Sequence, residues 1–324
     1  NKVAHKKEVK KSALKRKKTL GIAPTFRDLK GMPKFHSKKN HDFSYTTYNQ
    51  KNNIQLNGNF LTLPTAQKSP LRNVGVALRL HRPLPADSTI KHVTVSMNAE
   101  GAFFVSLCVE FVMDITDMDT PTRILGLDYS QAAFFVDSEG KKANYPLFMR
   151  QAEARLMQEQ KKLSRMVKGS NRWHKQRRLI AKLHVKIANQ RKDWLHKKSY
   201  ALSKKYDMVV LEDLDLRFLS QNPLFAKKQQ DNGFGNFRLY LKYKLEQQGK
   251  RFLKAPKTFA STQICSSCGF KNKELKGIEK IGKRTWTCPK CNSHHDRDKN
   301  SAKNLKQYGE YHIRKRKTAE SVVS

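Results

Sequence analysis

The sequence has no long hydrophobic run. None of its apolar stretches approaches the roughly 18 residues that a helix needs to cross a bilayer. The Lys-rich start of the chain also lacks the apolar centre of a secretory signal. We therefore expect a protein of the cytoplasm, associated with the nucleoid. Hydrophobic residues still make up 38% of its 324 residues, enough for a sizeable core in about two domains.

Acidic residues are scarce. The chain has 27 Asp and Glu against 66 Lys and Arg, which gives a formal net charge of +39. Solubility alone requires far less charge. The basic residues occur along the whole chain rather than in one tail or amphipathic helix, which argues against adhesion to a membrane surface. A nucleic acid is the expected partner.

Cysteines are also few, and four of the five occur in the pattern C-x₂-C-x₁₉-C-x₂-C: Cys265, Cys268, Cys288 and Cys291. Gly269 follows the first pair, where a zinc knuckle turns sharply. This spacing predicts a tetrahedral zinc site that stabilises the fold and takes no part in catalysis. It does not resemble the disulfide framework of a secreted protein. We expect Cys108 in the core and assign no metal role to His294 or His295.

The first part of the chain divides into two segments. Residues 1–43 form a basic arm, which we interpret as the remnant of a shortened N-terminal region. Residues 44–120 contain short β-rich runs at 44–48, 60–63, 74–80, 90–95 and 103–110 and end in an acidic, Pro-terminated linker at 114–121. This pattern predicts a small antiparallel β-barrel that binds nucleic acid.

Residues 121–310 form the second predicted domain. It opens with a hairpin at 123–136 and continues with two helices, at about 150–167 and 172–205, separated by Gly169-Ser-Asn171. A short apolar run at 207–212 has the character of a buried central strand. The zinc segment, 261–295, is inserted in this domain, and residues 311–324 form a basic tail.

Three carboxylates are candidates for a catalytic site. Asp128 and Glu212 each lie where a buried apolar strand ends, the position at which an open α/β sheet presents functional groups. Asp298 lies in a segment that could start a helix. Converging carboxylates suit Mg²⁺ or Mn²⁺, and two such ions about 4 Å apart promote phosphodiester hydrolysis.

Each acid also has a simpler interpretation. Asp128 could cap a turn, Glu212 could pair with a neighbouring base, and Asp298 could cap a helix. The spacing alone does not separate Asp296 from Asp298 as the third ligand. The local sequence around each acid carries the prediction.

These local motifs resemble the TnpB family, the RNA-guided endonucleases of IS200/IS605-type transposons, which are related to type V CRISPR effectors. The resemblance spans about 44–309 and rests on four motifs: Gly126-Leu-Asp128-Tyr-Ser130, Val209-Val-Leu-Glu212-Asp-Leu214, Ser261-Thr-Gln263, and Cys291-Asn-Ser-His-His-Asp-Arg-Asp298-Lys-Asn300. Ser301 occupies a position where the family usually has Ala, a change we expect to be harmless.

The resemblance implies an α/β plus β protein with an RNase H-like (RuvC) nuclease domain, an inserted zinc ribbon and a preceding oligonucleotide-binding-like β-barrel. It makes Asp128, Glu212 and Asp298 the magnesium-binding catalytic residues, with Asp298 favoured over Asp296. It also implies a transposon-derived guide RNA and double-stranded target DNA as partners. The implied activity is metal-dependent DNA cleavage by a two-metal mechanism.

Two other functions remain open at this level. A truncated or non-cleaving relative would bind DNA under RNA guidance, and an accessory transposase would assist strand joining. All three acids are present, which favours cleavage. Basic residues expected to contact nucleic acid are Lys38, Lys39, Arg72, Arg79, Arg172, Arg177, Arg178, Arg191 and Lys192.

Overall fold

Strands dominate the described residues of the first part of the chain, and helices dominate those of the second. The computed structural model describes residues 43–64, 74–118, 120–130, 132–214, 231–276 and 282–323. The chain divides into two units, Asn1–Glu110 and Phe111–Ser324. The basic arm predicted at 1–43 lies outside the described residues except for its last position, and the predicted domain limits stay predictions.

Six strands of the first unit pair in two antiparallel sheets. They are β1 (Phe43–Tyr48), β2 (Gln55–Asn57), β3 (Phe60–Thr62), β4 (Gly75–Ala77), β5 (Thr89–Met97) and β6 (Phe103–Glu110). One sheet has the order β1-β5-β6 and the other β2-β3-β4. Ile54, Leu61 and Val93 form the buried centre of this unit. Five of the strands fall at predicted positions, while closure into a barrel stays a prediction.

The prediction for Cys108 was wrong. Cys108 is exposed rather than part of the core. Side chains alternate between the two faces of a strand, and on β6 the partly buried positions are Val105, Leu107 and Val109. Cys108 therefore lies on the outer face of β6, together with Ser106 and Glu110.

The second unit is built on a four-stranded sheet with the order β10-β9-β7-β8. Its strands are β7 (Ile124–Ser130), β8 (Phe134–Asp137), β9 (Met208–Glu212) and β10 (Arg251–Ala255). β7, β9 and β10 run parallel, and β8 pairs antiparallel with β7 as the predicted hairpin requires. The carboxyl ends of β7 and β9 therefore lie side by side.

Helices cover both faces of this sheet. They are α1 (Phe148–Ser164), α2 (Asn171–Lys205), α3 (Phe234–Glu246) and α4 (Arg297–Val323). Alternate strand residues, among them Leu125 and Val209, pack against α2 and α3, whereas Val210 packs against Leu305 of α4. α1 and α2 occur where the sequence predicts them, and the Ser170 side chain caps α2 by accepting a bond from the Trp173 amide.

Helix α4 approaches the sheet closely at Gly126. A Cβ atom placed on Gly126 would lie 1.9 Å from the Ala302 carbonyl oxygen, far inside van der Waals contact. Only glycine allows this approach, because any other residue would push the helix away from the strand. The contact places the first turns of α4 against β7.

Among the described helices, none combines the length and apolarity needed to cross a membrane.

Candidate carboxylate site and cysteine cluster

Asp128 and Glu212 are neighbours across two parallel strands. The register pairs Leu127 of β7 with Leu211 of β9, so the next residue on each strand is one of these acids. Asp128 is buried, with 5% of its surface exposed, and Glu212 is half-buried. Asp128 and Glu212, the two acids that the sequence predicts on these strands, therefore lie side by side.

The environment disfavours uncompensated negative charge at this place. Burial, followed by the negative charges of Glu212 and Asp298, raises the pKa of Asp128 well above its usual value. Burial also raises the pKa of Glu212, although a hydrogen bond from Ser261 opposes the change. Three carboxyl groups near one another in a partly buried place need protons or cations to coexist.

Two serines join the carboxyl groups of Asp128 and Glu212. Ser301 Oγ donates to Asp128 Oδ1 over 2.8 Å and lies 2.9 Å from Ser261 Oγ. Ser261 Oγ in turn donates to Glu212 Oε1. Ser301 belongs to α4, and Ser261 belongs to the loop after β10. Helix α4 and the loop after β10 thus meet between the carboxylates of Asp128 and Glu212.

Asp298 reaches the same area from the first turn of α4. The Arg284 guanidinium lies 3.3 Å from both of its carboxylate oxygens through Nη1. Arg297, which is buried, faces both Asp298 and Asp128, and burial lowers the pKa of its guanidinium despite those charges. The site therefore combines three acids with two arginines.

Asp296 has a different place from Asp298. It is exposed, and its Oδ1 accepts a bond of 2.9 Å from the Lys299 amide, so it caps the start of α4. The capping role that the sequence left open for Asp298 is filled by Asp296. The assignment of Asp298 rather than Asp296 to the carboxylate group agrees with this geometry.

The four cysteines of the predicted zinc site come together. Within the described residues, they alone form a group of potential metal ligands whose ligand atoms all lie within 4.8 Å of one another. The Sγ atoms of Cys265 and Cys291 are 3.7 Å apart, as are those of Cys268 and Cys288. Four Zn–S bonds of about 2.3 Å in a tetrahedron separate the sulfurs by about 3.8 Å. The cluster therefore has the dimensions of a tetrahedral thiolate site.

Both cysteine pairs lie in equivalent turns. The Gly269 amide donates to the Cys265 carbonyl, and the Asn292 amide donates to the Cys288 carbonyl, each over 2.9 Å. Gly269 has φ +74° and Asn292 has φ 57°, a conformation that glycine and asparagine accept most readily. The turn predicted at Gly269 is confirmed, and the second turn uses asparagine at the same position.

A small core encloses the cluster. Strands β11 (Thr285–Thr287) and β12 (His294–Asp296) form a hairpin whose buried Trp286 packs on the cysteines together with Leu275. His295 is buried and its Nε2 lies 3.1 Å from Cys265 Sγ, whereas His294 is exposed. His295 is therefore placed to contact a ligand sulfur rather than the solvent.

Helix α4 anchors the cysteine segment to the carboxylates. Asn300 Nδ2 donates to the Ile264 carbonyl over 2.7 Å, and its Oδ1 accepts from the Ser266 amide over 2.9 Å. Asn304, one turn later, donates to the carbonyls of Ser261 and Ile264. Both amides are buried, so the loop that carries Ser261 and leads to Cys265 is fixed to the helix that carries Asp298 and Ser301.

Most described residues of the predicted nucleic-acid surface are solvent-accessible. Arg79, Arg172, Arg177, Arg178 and Lys192 are exposed. Arg191 instead forms an ion pair of 3.1 Å with the buried Asp231, which gives it a structural role. Lys38, Lys39 and Arg72 lie outside the described residues. The contacts themselves stay predictions.

Sequence reasoning did not predict the groups around the acids. Arg284, Arg297 and Ser301 each contact a carboxylate or lie next to one, and none was assigned a function. Arg297 and Ser301 flank Asp298 in the last motif, and Ser261 stands before the first cysteine pair, so proximity in sequence was the available signal.

Comparison with known proteins places this arrangement in a family. Residues 106–222 match a family model described as a probable transposase (OrfB_IS605), and residues 234–305 match the Cas12f1-like TNB domain. The chain is 35% identical over 228 residues to an RNA-guided DNA endonuclease of Streptomyces pristinaespiralis, covering 70% of this chain and 55% of the relative. The chain belongs to the TnpB family.

Two further comparisons set the limits of that assignment. RNA-guided DNA endonuclease InsQ of Escherichia coli K12 is 30% identical over 70% of this chain and 59% of its own length. The chain thus spans a little more than half the length of each of these two relatives. Its fold is similar to that of Cas12f1 in a complex with sgRNA and target DNA, with a TM-score of 0.54 and 16% identity over 91% of this chain and 69% of that one.

Proposed function

We propose that this chain carries the nuclease centre of a transposon-encoded, RNA-guided DNA endonuclease of the RuvC type, and that its second unit is an RNase H-like domain, 121–310, with a zinc ribbon inserted at 261–295. One observation carries the proposal. Asp128 and Glu212 directly follow Leu127 and Leu211, the last paired residues of the parallel strands β7 and β9, and Asp298 approaches them from helix α4. The names of the relatives support the same class of activity.

The donor set fits divalent cations. All three side chains offer oxygen ligands, which Mg²⁺ and Mn²⁺ prefer. Burial and mutual repulsion raise the pKa of Asp128, and bound cations would compensate this negative charge. When bound, two such ions activate a water for attack on phosphorus and stabilise the leaving oxygen. Asp128, Glu212 and Asp298 are the residues that would hold them.

The protein groups around the acids prepare them for this role. Ser301 holds Oδ1 of Asp128 and Ser261 holds Oε1 of Glu212, and these bonds restrict the rotation of both carboxylates. Arg284 orients Asp298. Arg297 adds a buried positive charge beside the acids, where a substrate phosphate would lie.

Lysine side chains surround a cavity next to Glu212, along which nucleic acid would approach. A cavity of about 550 Å³ extends from Glu212 along the loop after β10, and four lysines line it: Lys257, Lys271, Lys273 and Lys276. Lysines in this number attract a phosphate backbone without reading its sequence. We place the path of the cut DNA strand here, with the guide RNA and the rest of the target held by the barrel predicted at 44–120 and by the basic helices.

The cysteine cluster supplies structure in this proposal. Zinc is the ion assigned to it, because four thiolates close a tetrahedral shell and leave no open position for a substrate. Its connection to α4 through Asn300 and Asn304 makes the fold of the ribbon a condition for the position of Asp298.

The test begins with the protein purified together with the RNA that copurifies from its native locus. That RNA is sequenced, and Mg²⁺-dependent cleavage of matching DNA is compared between the parent chain, Asp128→Ala and Asp296→Ala. Asp296 is the matched control, an acid that lies two residues from Asp298 but caps a helix. We expect no cleavage by Asp128→Ala and cleavage by Asp296→Ala. Bound RNA without cleavage by the parent chain would identify a binding protein instead.

A further inference from the structure

Ser301 differs from the other described helical serines in the direction of its hydroxyl. Ser199 and Ser203 of α2 donate to carbonyls of their own helix, Leu195 and Tyr200 respectively. That is the ordinary behaviour of a serine within a helix. Ser301 Oγ instead donates to a carboxylate on a strand 173 positions earlier in the chain. The direction of the Ser301 hydroxyl is therefore better explained by its bond to Asp128 than by hydrogen bonding within α4.

Ser261 repeats this arrangement from the other side. Its hydroxyl donates to Glu212 and contacts the Ser301 hydroxyl at 2.9 Å. Ser301 and Ser261 are both almost fully buried, with 0% and 1% of their surfaces exposed. Water therefore has little access to these hydroxyl groups, and the bonds to the two carboxylates are not exchanged for solvent.

We propose that Ser301 and Ser261 form a two-hydroxyl bridge that positions Asp128 and Glu212 for divalent-ion binding and thereby sets the affinity of the site. This inference rests on the proposed function. Each serine fixes the rotation of one carboxylate by holding one of its oxygens. Each hydroxyl has one proton, which binds its carboxylate, so the 2.9 Å contact between the two hydroxyl oxygens is a packing contact that limits the movement of the serines and not a third hydrogen bond.

The surroundings of the bridge strengthen its effect. Asn304 Nδ2 donates to the Ser261 carbonyl over 2.7 Å and so holds Ser261 against α4. Ser301 and Asp298 belong to the same helix. A single helix thus controls the positions of all three acids, one directly and two through the hydroxyl groups. Outer partners of metal ligands typically contribute 10–100-fold to metal affinity.

The experiment measures Mn²⁺ binding to the zinc-loaded full chain, using the loss of the free Mn²⁺ signal in electron paramagnetic resonance. We expect Ser301→Ala and Ser261→Ala each to weaken binding by about tenfold or more. The double variant should lose less than the product of the two single effects, because the hydroxyls act as one unit. Ser261→Thr, which keeps a hydroxyl, should bind as the parent does.

Ser203→Ala is the matched control, since Ser203 is equally buried but lies on α2. Its Mn²⁺ affinity should equal that of the parent. A second readout is the Mg²⁺ concentration that gives half-maximal cleavage, which should rise in the bridge variants more than the rate at saturating Mg²⁺ falls. A general loss of structure would lower both. If Ser301→Ala does not fold, Ser261→Ala decides the question.

Two outcomes separate this inference from the proposed function. If Asp128→Ala binds Mn²⁺ as tightly as the parent, the carboxylates are not the metal site and both proposals fall. If Asp128→Ala loses Mn²⁺ while Ser301→Ala and Ser261→Ala bind it normally, the bridge is overturned and the nuclease centre stands.

Discussion

Gly126 and Ala302 are in backbone contact so close that a single methyl group would separate them. A Cβ atom on Gly126 would lie 1.9 Å from the Ala302 carbonyl oxygen and 2.6 Å from the Lys306 amide nitrogen. Neither partner is a flexible side chain that could move aside. The same stretch of α4 carries Asp298, Ser301 and Asn304. The distance between β7 and α4 therefore determines the geometry of the carboxylates.

We predict that Gly126→Ala lowers the free energy of unfolding and abolishes metal-dependent cleavage. Insertion of a methyl group into a packed interior typically costs about 1–3 kcal/mol. Urea denaturation measures the loss of stability, and the cleavage assay measures the loss of activity. Gly282→Ala is the matched control, because a Cβ atom there meets nothing within 4 Å. Normal activity of Gly126→Ala would show that α4 can move without disturbing the acids.

Replacement of one cysteine should affect the carboxylates as well as zinc. We predict that Cys288→Ser lowers zinc content, and that cleavage falls with it, because the cysteine segment is tied to α4 through Asn300 and Asn304. Atomic emission measures the zinc. Cys108→Ser is the control, since Cys108 is exposed on β6 and should leave both quantities unchanged. Full zinc content in Cys288→Ser would contradict the assignment of the ligand.

The contribution of Asp207, at the start of the second-unit sheet, to the stability of the fold should depend on pH. Hydrogen bonds from Arg123, offset in part by burial, hold the pKa of Asp207 below its usual value of about 3.9. A carboxyl group with a lowered folded-state pKa stabilises the fold above its unfolded pKa, and the contribution is lost as the pH falls through the folded value. Asp207 also accepts from the Arg123 amide over 3.0 Å and from Thr122, so it joins the beginnings of β7 and β9.

We therefore predict that Asp207→Asn is destabilising by about 1.5–3 kcal/mol at neutral pH, the range for hydrogen bonds to a charged group. The difference from the parent should remain constant down to about pH 5 and shrink as the pH falls further. Denaturation series at several pH values measure it. Asp193→Asn serves as control, because its ion pair with Lys197 is exposed and should contribute little. A difference that grows toward low pH would refute the assigned sign.

Local patterns predicted those parts of the fold that local chemistry determines. The break between α1 and α2 follows from Gly169 and Ser170, and the knuckle at Gly269 follows from the cysteine spacing. Strand β10 and helix α3 were not predicted. For β10, the reason is that Arg251–Ala255 pairs with a strand 43 positions earlier and that its short basic and apolar run has no clear period. The exposure of Cys108 follows from the alternation of β6, which puts Cys108 on the same face as Ser106 and Glu110, whereas the prediction considered only the apolar character of the strand.

Some residues of the candidate site could likewise be predicted from local sequence, and others could not. Asp128 and Glu212 could be predicted because each directly follows a short apolar run, and the parallel register brings them together although β7 continues beyond Asp128 to Ser130. The separation of Asp296 from Asp298 required the resemblance to a family, and the structure supplies its physical reason in the helix cap. Ser301 looked like a harmless replacement for alanine because a sequence shows no hydroxyl directions. Its bond to Asp128 exists only after α4 has packed on β7.

The basic residues should separate into two classes when they are tested one at a time. Arg178 is exposed on α2, while Arg191 on the same helix forms an ion pair with the buried Asp231. We predict that Arg178→Ala weakens DNA binding and reduces the steepness of its salt dependence, with stability unchanged. Arg191→Ala should instead destabilise the fold, because it leaves the buried Asp231 carboxylate without its cation. Fluorescence anisotropy with labelled DNA at several salt concentrations, together with urea denaturation, measures both effects.

The salt dependence of DNA binding by Arg178→Ala distinguishes a direct phosphate contact from a general electrostatic effect. Each phosphate contact releases about 0.9 counterion from duplex DNA, so the loss of one contact changes the logarithmic salt slope by about one. A basic side chain that only adds to the general field changes the affinity slightly and changes the slope by much less than one. An unchanged slope in Arg178→Ala would therefore assign Arg178 to the general field of a chain with a net charge of +39 rather than to the nucleic-acid interface.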